Sequence, residues 1–269
     1  MEIAIEIKRQ GGKDMWNKIV KLGALVCLLL TSSIAVAAPA NATNLAQDET
    51  TLSFYGQSAF MLSHGDTHLI FDPWLTGNPW KAATADEIEC QYILVSHAHG
   101  DHLGDTAAIA KRTGAKVVTT SEIARMLKEQ GCDVAPMSIG GKRDFDFGYV
   151  KVTLAIHGSG IAGGQAAGFI VHFFDKTIYF AGDTALFGDM ALIGKTPIDY
   201  ALLPIGDNYT MGIDDAVEAV ELLHPKTVIP MHYNSNELIK QSPEEFKNKV
   251  QEKYKVTAII MLPGEKINL

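Results

Sequence analysis

Short apolar runs separated by turn-forming residues recur along the chain from residue 51 onward. They are rich in Val, Ile, Phe and Tyr and have the length of β-strands, so they predict a protein built mainly on β-sheet. The predicted strands are 51–55, 59–63, 67–71, 92–96, 116–120, 149–156, 168–174, 177–181, 200–204, 227–231 and 258–262. Tight hairpin turns are predicted at residues 63–66 and 175–176.

Apolar residues with helical spacing appear in fewer places. The predicted helices are 105–112, 121–130, 214–223 and 243–254. Ser121 and Asp214 are the expected N-caps of the second and third helices, and Ser242-Pro243 places proline at the first position of the last. Hairpins come first, strands then alternate with helices, and the same order is repeated. This order predicts an α/β protein of two similar halves, each a sheet with helices.

Composition and charge narrow the class of protein. The chain has 269 residues, of which 47% are hydrophobic and 20% charged. This composition excludes a disordered chain and allows a large core. Because 31 acidic residues outnumber 23 basic ones, the net charge is -8. A nucleic-acid-binding surface requires a basic footprint, so we expect a small-molecule substrate and no nucleic-acid partner. The sequence leaves open whether the protein forms a homo-oligomer.

The N-terminal region has the pattern of an export signal. Lys18 and Lys21 precede an uncharged apolar run, 22–36, which is followed by Ala37. A basic segment, an apolar segment and small residues occur in this order in signal peptides. The run is shorter than the roughly 20 apolar residues of a membrane span. We therefore expect cleavage after Ala37 and no stable membrane insertion afterwards; an uncleaved anchor is the alternative.

The signal pattern divides the chain into three parts, 1–37, 38–50 and 51–269. Acidic residues dilute the positive charge before Lys18, so Met15 is the better start of a signal peptide, 15–37, and residues 1–14 are interpreted as an over-called translation start. The polar segment 38–50 is a predicted flexible leader, and 51–269 a single domain. The expected location is the periplasm or the medium of a bacterium.

Cysteine content is low. Of the three cysteines, Cys90 and Cys132 lie after the signal segment. Export permits a disulfide between them, but two free buried thiols are equally compatible with the sequence.

The most informative stretch follows the predicted strand 92–96. It contains His97, His99, Asp101 and His102, which are four potential metal ligands within six residues. Side chains two apart in an extended segment project to the same side, so His97 and His99 can face one point. Gly100 lets the chain turn, and Asp101 and His102 can face a second point. Imidazole and carboxylate groups suit zinc, manganese or iron.

Three further candidates stand at the ends of predicted strands, where ligand sites are common. They are His157, Asp183 and His232. Asp72 also follows a strand and precedes proline. It can accept the outer N–H of a ligand histidine, or it can be an ordinary turn aspartate.

The motif His97-x-His99-x-Asp101-His102, together with the three later candidates, resembles the metallo-β-lactamase superfamily. Wider phrases at 96–105, 182–187, 203–206 and 230–233 are similar to its uncharacterised metal-dependent hydrolases, which are related to ascorbate-phosphate lactonase and to the phospholipase D that cleaves N-acyl ethanolamine lipids. The resemblance covers about residues 51–269. It implies a four-layer αβ/βα sandwich with metals at the edge between the two sheets.

The resemblance also implies the ligand set. His97, His99 and His157 would hold one divalent metal, Asp101, His102 and His232 a second, and Asp183 would bridge both. Zinc is expected, with manganese or iron as alternatives. The implied activity is hydrolysis of a small-molecule ester or lactone by a metal-bridging hydroxide, with Asp101 as the candidate proton donor to the leaving group.

Two departures from related branches restrict the chemistry. His99 stands where the oxygen-reducing diiron branch would carry an acidic residue, and Asp183 stands where a true β-lactamase would more often carry cysteine. Two other functions remain open. One is a phosphodiesterase acting on a phospholipid or nucleotide, and the other is a metal-binding protein without catalysis.

Overall fold

The computed structural model describes residues 49–269. The over-called start 1–14, the signal peptide 15–37 and all but the last two residues of the leader 38–50 lie outside the described residues, and these expectations stay predictions.

The first sheet has seven strands in the order β14-β1-β2-β3-β4-β5-β6. Its strands are β1 (Thr51–Gly56), β2 (Ala59–His64), β3 (Thr67–Phe71), β4 (Tyr92–Leu94), β5 (Lys116–Thr120), β6 (Val134–Met137) and β14 (Lys266–Asn268). The hairpins β1–β2 and β2–β3 are antiparallel, whereas β3 to β6 run parallel. The C-terminal strand β14 returns to this sheet and pairs antiparallel with β1.

The second sheet repeats this plan in the order β13-β12-β11-β10-β9-β8-β7. Its strands are β7 (Lys142–Phe145), β8 (Gly148–Leu154), β9 (Ala167–Phe173), β10 (Lys176–Phe180), β11 (Tyr200–Pro204), β12 (Thr227–Met231) and β13 (Thr257–Ala258). Antiparallel pairing from β7 to β10 is again followed by parallel pairing from β10 to β13. The predicted pair of similar halves is therefore confirmed.

Helices flank the two sheets. They are α1 (Gly100–Leu103), α2 (Thr106–Thr113), α3 (Ser121–Glu129), α4 (Met190–Ile193), α5 (Ile213–Leu223) and α6 (Pro243–Tyr254). Within residues 49–269, no helix has both the length and the apolar character needed to cross a bilayer.

The main core lies between the sheets, because the strands bury one face against the opposite sheet. Phe71 of the first sheet stacks on Phe180 of the second with ring centroids 4.7 Å apart. A second core cluster, which includes Ile93, Val117, Ile109 and Ile123, packs α2 and α3 against the other face of the first sheet. Burial of these apolar surfaces is the main stabilising term of such a fold.

The sequence predicted all ten interior strands, and its errors lie at the four sheet edges. The edge strands β6, β7 and β14 were not predicted, and the predicted strand 258–262 is only the two-residue strand β13. An edge strand pairs on one side only and tolerates charged residues, as in β7, or proline, as in β6, so its hydrophobic pattern is weak. The sequence of β7, Lys-Arg-Asp-Phe, is an example.

Proline accounts for the short length of β13. The carbonyl of Val228 accepts a hydrogen bond from the N–H of Ile259. Pro230, two residues further along β12, faces the same neighbour but has no N–H to donate. The ladder between β12 and β13 therefore ends where the sequence pattern predicted it to continue.

Two predicted helix caps were wrong by one or two residues. Thr120, the last residue of β5, is the N-cap of α3 in place of Ser121, because the strand runs directly into the helix. Gly212 is the N-cap of α5 in place of Asp214. The predicted proline at the first position of α6 is confirmed, and the Ser242 hydroxyl before it accepts a hydrogen bond from the Glu245 N–H at 3.2 Å. The turn predicted at 63–66 is present, and the one predicted at 175–176 lies one residue earlier.

Candidate metal centre

Four strands from the two sheets deliver the candidate ligands to one place. His97 follows β4, His157 follows β8, Asp183 follows β10 and His232 follows β12. Asp101 and His102 lie on the four-residue helix α1, which begins directly after His99. This helix is too short to show periodicity in the sequence, yet it turns two of the ligands toward the second sheet.

The first group consists of His97, His99 and His157. Their ligand atoms all lie within 4.8 Å of one another. His99 presents Nδ1, which is 2.9 Å from His97 Nε2 and 3.3 Å from His157 Nε2. Three ring nitrogens that face a single point form the donor set that zinc and related divalent ions accept.

The second group consists of Asp101, His102 and His232, whose ligand atoms also lie within 4.8 Å of one another. Asp101 Oδ2 is 3.4 Å from His232 Nε2 and 3.6 Å from His102 Nε2. Helix α1 supplies two of these side chains and the end of β12 supplies the third.

One carboxylate oxygen faces both groups. Asp183 Oδ2 lies 3.0 Å from His232 Nε2 and 3.2 Å from His102 Nε2, both in the second group. The same oxygen lies 3.6 Å from His157 Nε2 and 3.9 Å from His97 Nε2, both in the first group. Asp183 is therefore positioned between the two sets of donors.

Buried polar atoms at this place lack protein partners of good geometry. They are Asp183 Oδ1, His102 Nε2 and both ring nitrogens of His232. Leaving such atoms unpaired is costly in the interior of a protein. Divalent cations would pair the inward-facing ones, so the residues present fit a metal centre.

The buried carboxylate of Asp72 contacts one candidate ligand histidine directly and a second through Ser96. Asp72 accepts hydrogen bonds from the backbone N–H and the hydroxyl of Ser96, at 2.7 and 2.6 Å. Its Oδ2 is also 2.7 Å from His102 Nδ1. Ser96 Oγ in turn lies 2.9 Å from His97 Nδ1. Asp72 thus makes the contact expected of an outer partner of a ligand histidine, and Ser96 extends it to a histidine of the first group.

The pKa values of the metal-free site differ between its two halves. Burial lowers the pKa of His97 to about 2, and the charge of His102 acts in the same direction. Burial would also lower the pKa of His232, but the nearby Asp183 and Asp101 carboxylates raise it to about 9. The pKa of His102 is also raised by neighbouring carboxylates, and the charges of these two histidines hold the pKa of Asp183 well below its usual range against the effect of burial. The attraction between these groups therefore favours protonated His102 and His232 beside an ionised Asp183.

Three of the ten non-glycine residues with positive φ among residues 49–269 belong to the second group or contact it. His232 has a φ of 55°, Asp72 one of 39° and Gln57 one of 55°. Non-glycine residues seldom adopt positive φ, and such strain is retained mainly where the surroundings over-determine it.

A cavity of about 220 Å³ opens beside these groups. Its wall contains Gln57, Tyr209, Asn236 and Ile239 in addition to His99, Asp101, His157, Asp183 and His232. Sequence reasoning did not identify Gln57 or Ser96 as site residues, because neither residue type suggests metal chemistry. Ser96 directly precedes His97 in the sequence, but its contact with Asp72 and the contact of Gln57 with Asp101 are visible only in the folded chain.

Among residues 49–269, the other histidines do not join the clusters of potential ligands. His64 stacks on Phe174, His68 contacts Ser63 and His172 contacts Thr177. Cys90 and Cys132 are free and buried, so of the two alternatives the structure shows two thiols.

Comparison with known proteins identifies the family. A family model described as the Beta-lactamase superfamily domain matches residues 67–233. A UPF0173 metal-dependent hydrolase from Symbiobacterium thermophilum is 50% identical over 222 residues, covering 81% of this chain and 99% of the relative. A UPF0173 metal-dependent hydrolase from Pelotomaculum thermopropionicum is 47% identical over 227 residues, with the same two coverages.

The fold is shared with solved structures. The structure of Igni18, described as a novel metallo hydrolase from the hyperthermophilic archaeon Ignicoccus hospitalis, superposes with a TM-score of 0.77 at 36% identity and covers 82% of this chain and 98% of that one. These matches confirm the resemblance and the predicted α/β sandwich. The chain therefore belongs to the beta-lactamase superfamily, and within it to the UPF0173 metal-dependent hydrolases.

Proposed function

We propose that this metal-dependent hydrolase is dinuclear and cleaves a small-molecule ester or lactone. The observation that carries the proposal is the position of Asp183 Oδ2, within 3.9 Å of ring nitrogens from both donor groups. A carboxylate shared by two donor sets is suited to hold two cations close together.

The ligand roles follow from the two groups. His97, His99 and His157 would hold one metal, Asp101, His102 and His232 the other, and Asp183 both. Histidine and carboxylate donors suit zinc, with manganese or iron as alternatives. When bound, two such ions supply an activated water and stabilise the negative charge that develops on the reacting carbonyl. The protein must then orient the substrate and move a proton.

Asp101 is the candidate for the proton transfer. Its side chain is 35% exposed and lines the cavity, whereas Asp183 is buried. Its Oδ2 faces His102, His232 and Gln57, so Oδ1 is the oxygen to which we assign the proton. In this scheme Oδ1 receives the proton that the attacking water loses and passes it to the leaving alcohol oxygen.

The cavity wall favours a small substrate without a separate charged group. A volume of about 220 Å³ is below the usual range of about 300–1,000 Å³ for drug-sized ligands. Among the described residues, no lysine or arginine lines this cavity. A phosphate group remote from the reacting bond would therefore lack a cationic side chain as partner. An ester or lactone of modest size satisfies both conditions.

The test is a substrate screen on protein of known metal content. Protein stripped of metal and reloaded with zinc, manganese or ferrous iron would be assayed with a lactone panel, p-nitrophenyl acetate and bis-p-nitrophenyl phosphate. We expect close to two metals per chain and turnover of a lactone or ester that His99→Ala abolishes and His172→Ala preserves. Exclusive turnover of the phosphodiester, or equal activity in His99→Ala, would contradict the proposal.

We further propose that the protein is exported to the periplasm or the medium. Support comes from Lys18 and Lys21, the apolar run 22–36 and the small residue Ala37. Fractionation of the producing cells and N-terminal sequencing of the exported protein would test this. A new N-terminus at Ala38 is expected, and protein confined to the cytoplasm with residues 15–37 intact would contradict it.

A further inference from the structure

Gln57 lies in the two-residue turn between β1 and β2, at the wall of the cavity. It is 2% exposed and its φ is 55°. A buried glutamine in this backbone region is unusual, because long side chains are strained there. A glutamine that is both buried and at positive φ must be held in place by its surroundings.

The side chain of Gln57 contacts one candidate ligand and its backbone contacts another. Nε2 donates a hydrogen bond to Asp101 Oδ2 at 2.9 Å. The carbonyl oxygen of Gln57 accepts a hydrogen bond from the N–H of His232 at 2.9 Å. Because an ionised carboxylate only accepts hydrogen bonds, the NH₂ end of the amide must face Asp101. Both contacted residues belong to the second donor group.

The turn also packs against Trp80 and Asn78. Gly56 has a φ of 101°, and a Cβ added there would lie 2.6 Å from Trp80 Cε3 and 3.3 Å from Asn78 Oδ1. Asn78 in turn accepts a hydrogen bond from the Trp80 N–H at 3.1 Å. Close packing of this kind leaves the turn little freedom to move away from Asp101.

We propose that Gln57 is a positioning residue for the second metal, which it serves by fixing the orientation of Asp101 and the backbone of His232. This inference rests on the proposed dinuclear function. It assigns Gln57 to one half of the site only, since its contacts are with the second donor group and not with His97, His99 or His157. The expected signature is a selective loss of affinity for one of two metals.

The experiment is a zinc titration of the full chain after metal removal, with the two stepwise dissociation constants measured against a chromophoric chelator. Gln57→Met keeps the approximate size of the side chain and removes the N–H donor. We expect it to weaken the binding step that fills the second donor group about 10- to 100-fold and to leave the other step within about twofold. The visible spectrum of the cobalt-loaded protein should change for the ion in the second donor group only.

Two further variants separate positioning from folding. Gln57→Asn suits a positive φ but has an amide one methylene shorter, so it should fold and still lose affinity at the second donor group. Ser58→Ala, in the same turn, removes a buried hydroxyl without a hydrogen-bond partner and should bind zinc like the wild type.

Two results overturn the inference alone: two zinc ions bound with unchanged constants in Gln57→Met, or an equal loss at both steps in both Gln57 variants. Wild-type protein that binds only one zinc ion per chain overturns the dinuclear function as well, so the two failures can be distinguished.

Discussion

Asp72 Oδ2 lies 2.7 Å from His102 Nδ1, and both side chains are fully buried. The carboxylate fixes which ring nitrogen of His102 faces the cavity, because Nδ1 is engaged and Nε2 remains for a metal. The sequence suggested this contact as one of two roles for Asp72, and the structure supplies the geometry.

Replacement of Asp72 should therefore weaken metal binding, although Asp72 acts only through His102. We expect Asp72→Asn to lower zinc affinity at the second donor group about 10- to 100-fold, since partners of ligand histidines have effects of this size. Asp199→Asn is a suitable control, because Asp199 accepts a hydrogen bond from Thr177 N at 2.8 Å and lies outside the donor groups. Equal zinc constants in Asp72→Asn and wild type would refute the role.

Asp183 and His99 should differ in how many metals their loss affects. Asp183 Oδ2 faces both donor groups, whereas His99 belongs to the first. Elemental analysis should find fewer than one metal per chain in Asp183→Asn and close to one in His99→Ala. Full retention of two metals by Asp183→Asn would show that it does not bridge them.

Zinc binding at the second group should release protons at neutral pH. The pKa of His232 is raised to about 9 and that of His102 is also raised, so both are protonated at pH 7 in the metal-free protein. A metal must displace these protons, and affinity at this step should therefore rise with pH up to about 9, by up to about tenfold per unit for each proton released. The low pKa values of His97 and His157 predict no release from these two histidines at the first step. Calorimetry in buffers of different ionisation enthalpy measures the proton count, and a count of zero at pH 7 for the second ion would contradict the prediction.

The two buried cysteines should be unreactive in the folded protein. Burial raises the pKa of Cys90 to about 12 and also raises that of Cys132, so little thiolate is present at pH 8. With Cys27→Ser as background, we expect Ellman's reagent to label no thiol rapidly in native protein and two in guanidinium. Rapid labelling of one thiol in native protein would contradict the buried placement, and fewer than two in guanidinium would indicate a disulfide.

Tyr209 lines the cavity and is 53% exposed, so its replacement should alter binding more than folding. We expect Tyr209→Ala to raise KM about 2- to 10-fold with kcat nearly unchanged. The reason is that the lost aromatic contact is made equally in the ground state and the transition state. Tyr209→Phe keeps the ring and should stay close to wild type. A large fall in kcat for Tyr209→Phe would instead assign the hydroxyl a part in the chemistry.

Most of the candidate site was accessible from the sequence because its ligands are chemically distinctive and follow recognisable strands. His97, His99, Asp101 and His102 lie within six residues, and His157, Asp183 and His232 each follow an apolar run. Gln57 and Ser96 were inaccessible for the opposite reason. Glutamine and serine are common in turns and loops, and their contacts with Asp101 and Asp72 join residues that are 44 and 24 positions apart.

The sequence by itself determined the ten interior strands and the identity of the candidate metal-binding groups, because burial on both sides of a strand and the donor chemistry of a side chain are both recorded locally. The tertiary structure decided what depends on pairing between distant segments: the four sheet edges, the return of β14 to β1, and the convergence of strand ends from two sheets on Asp183. An edge strand has one neighbour and a weak hydrophobic pattern of its own, so its place is specified only by the strand with which it pairs. The same holds for Asp183, whose place between two donor groups is a property of the packed sheets.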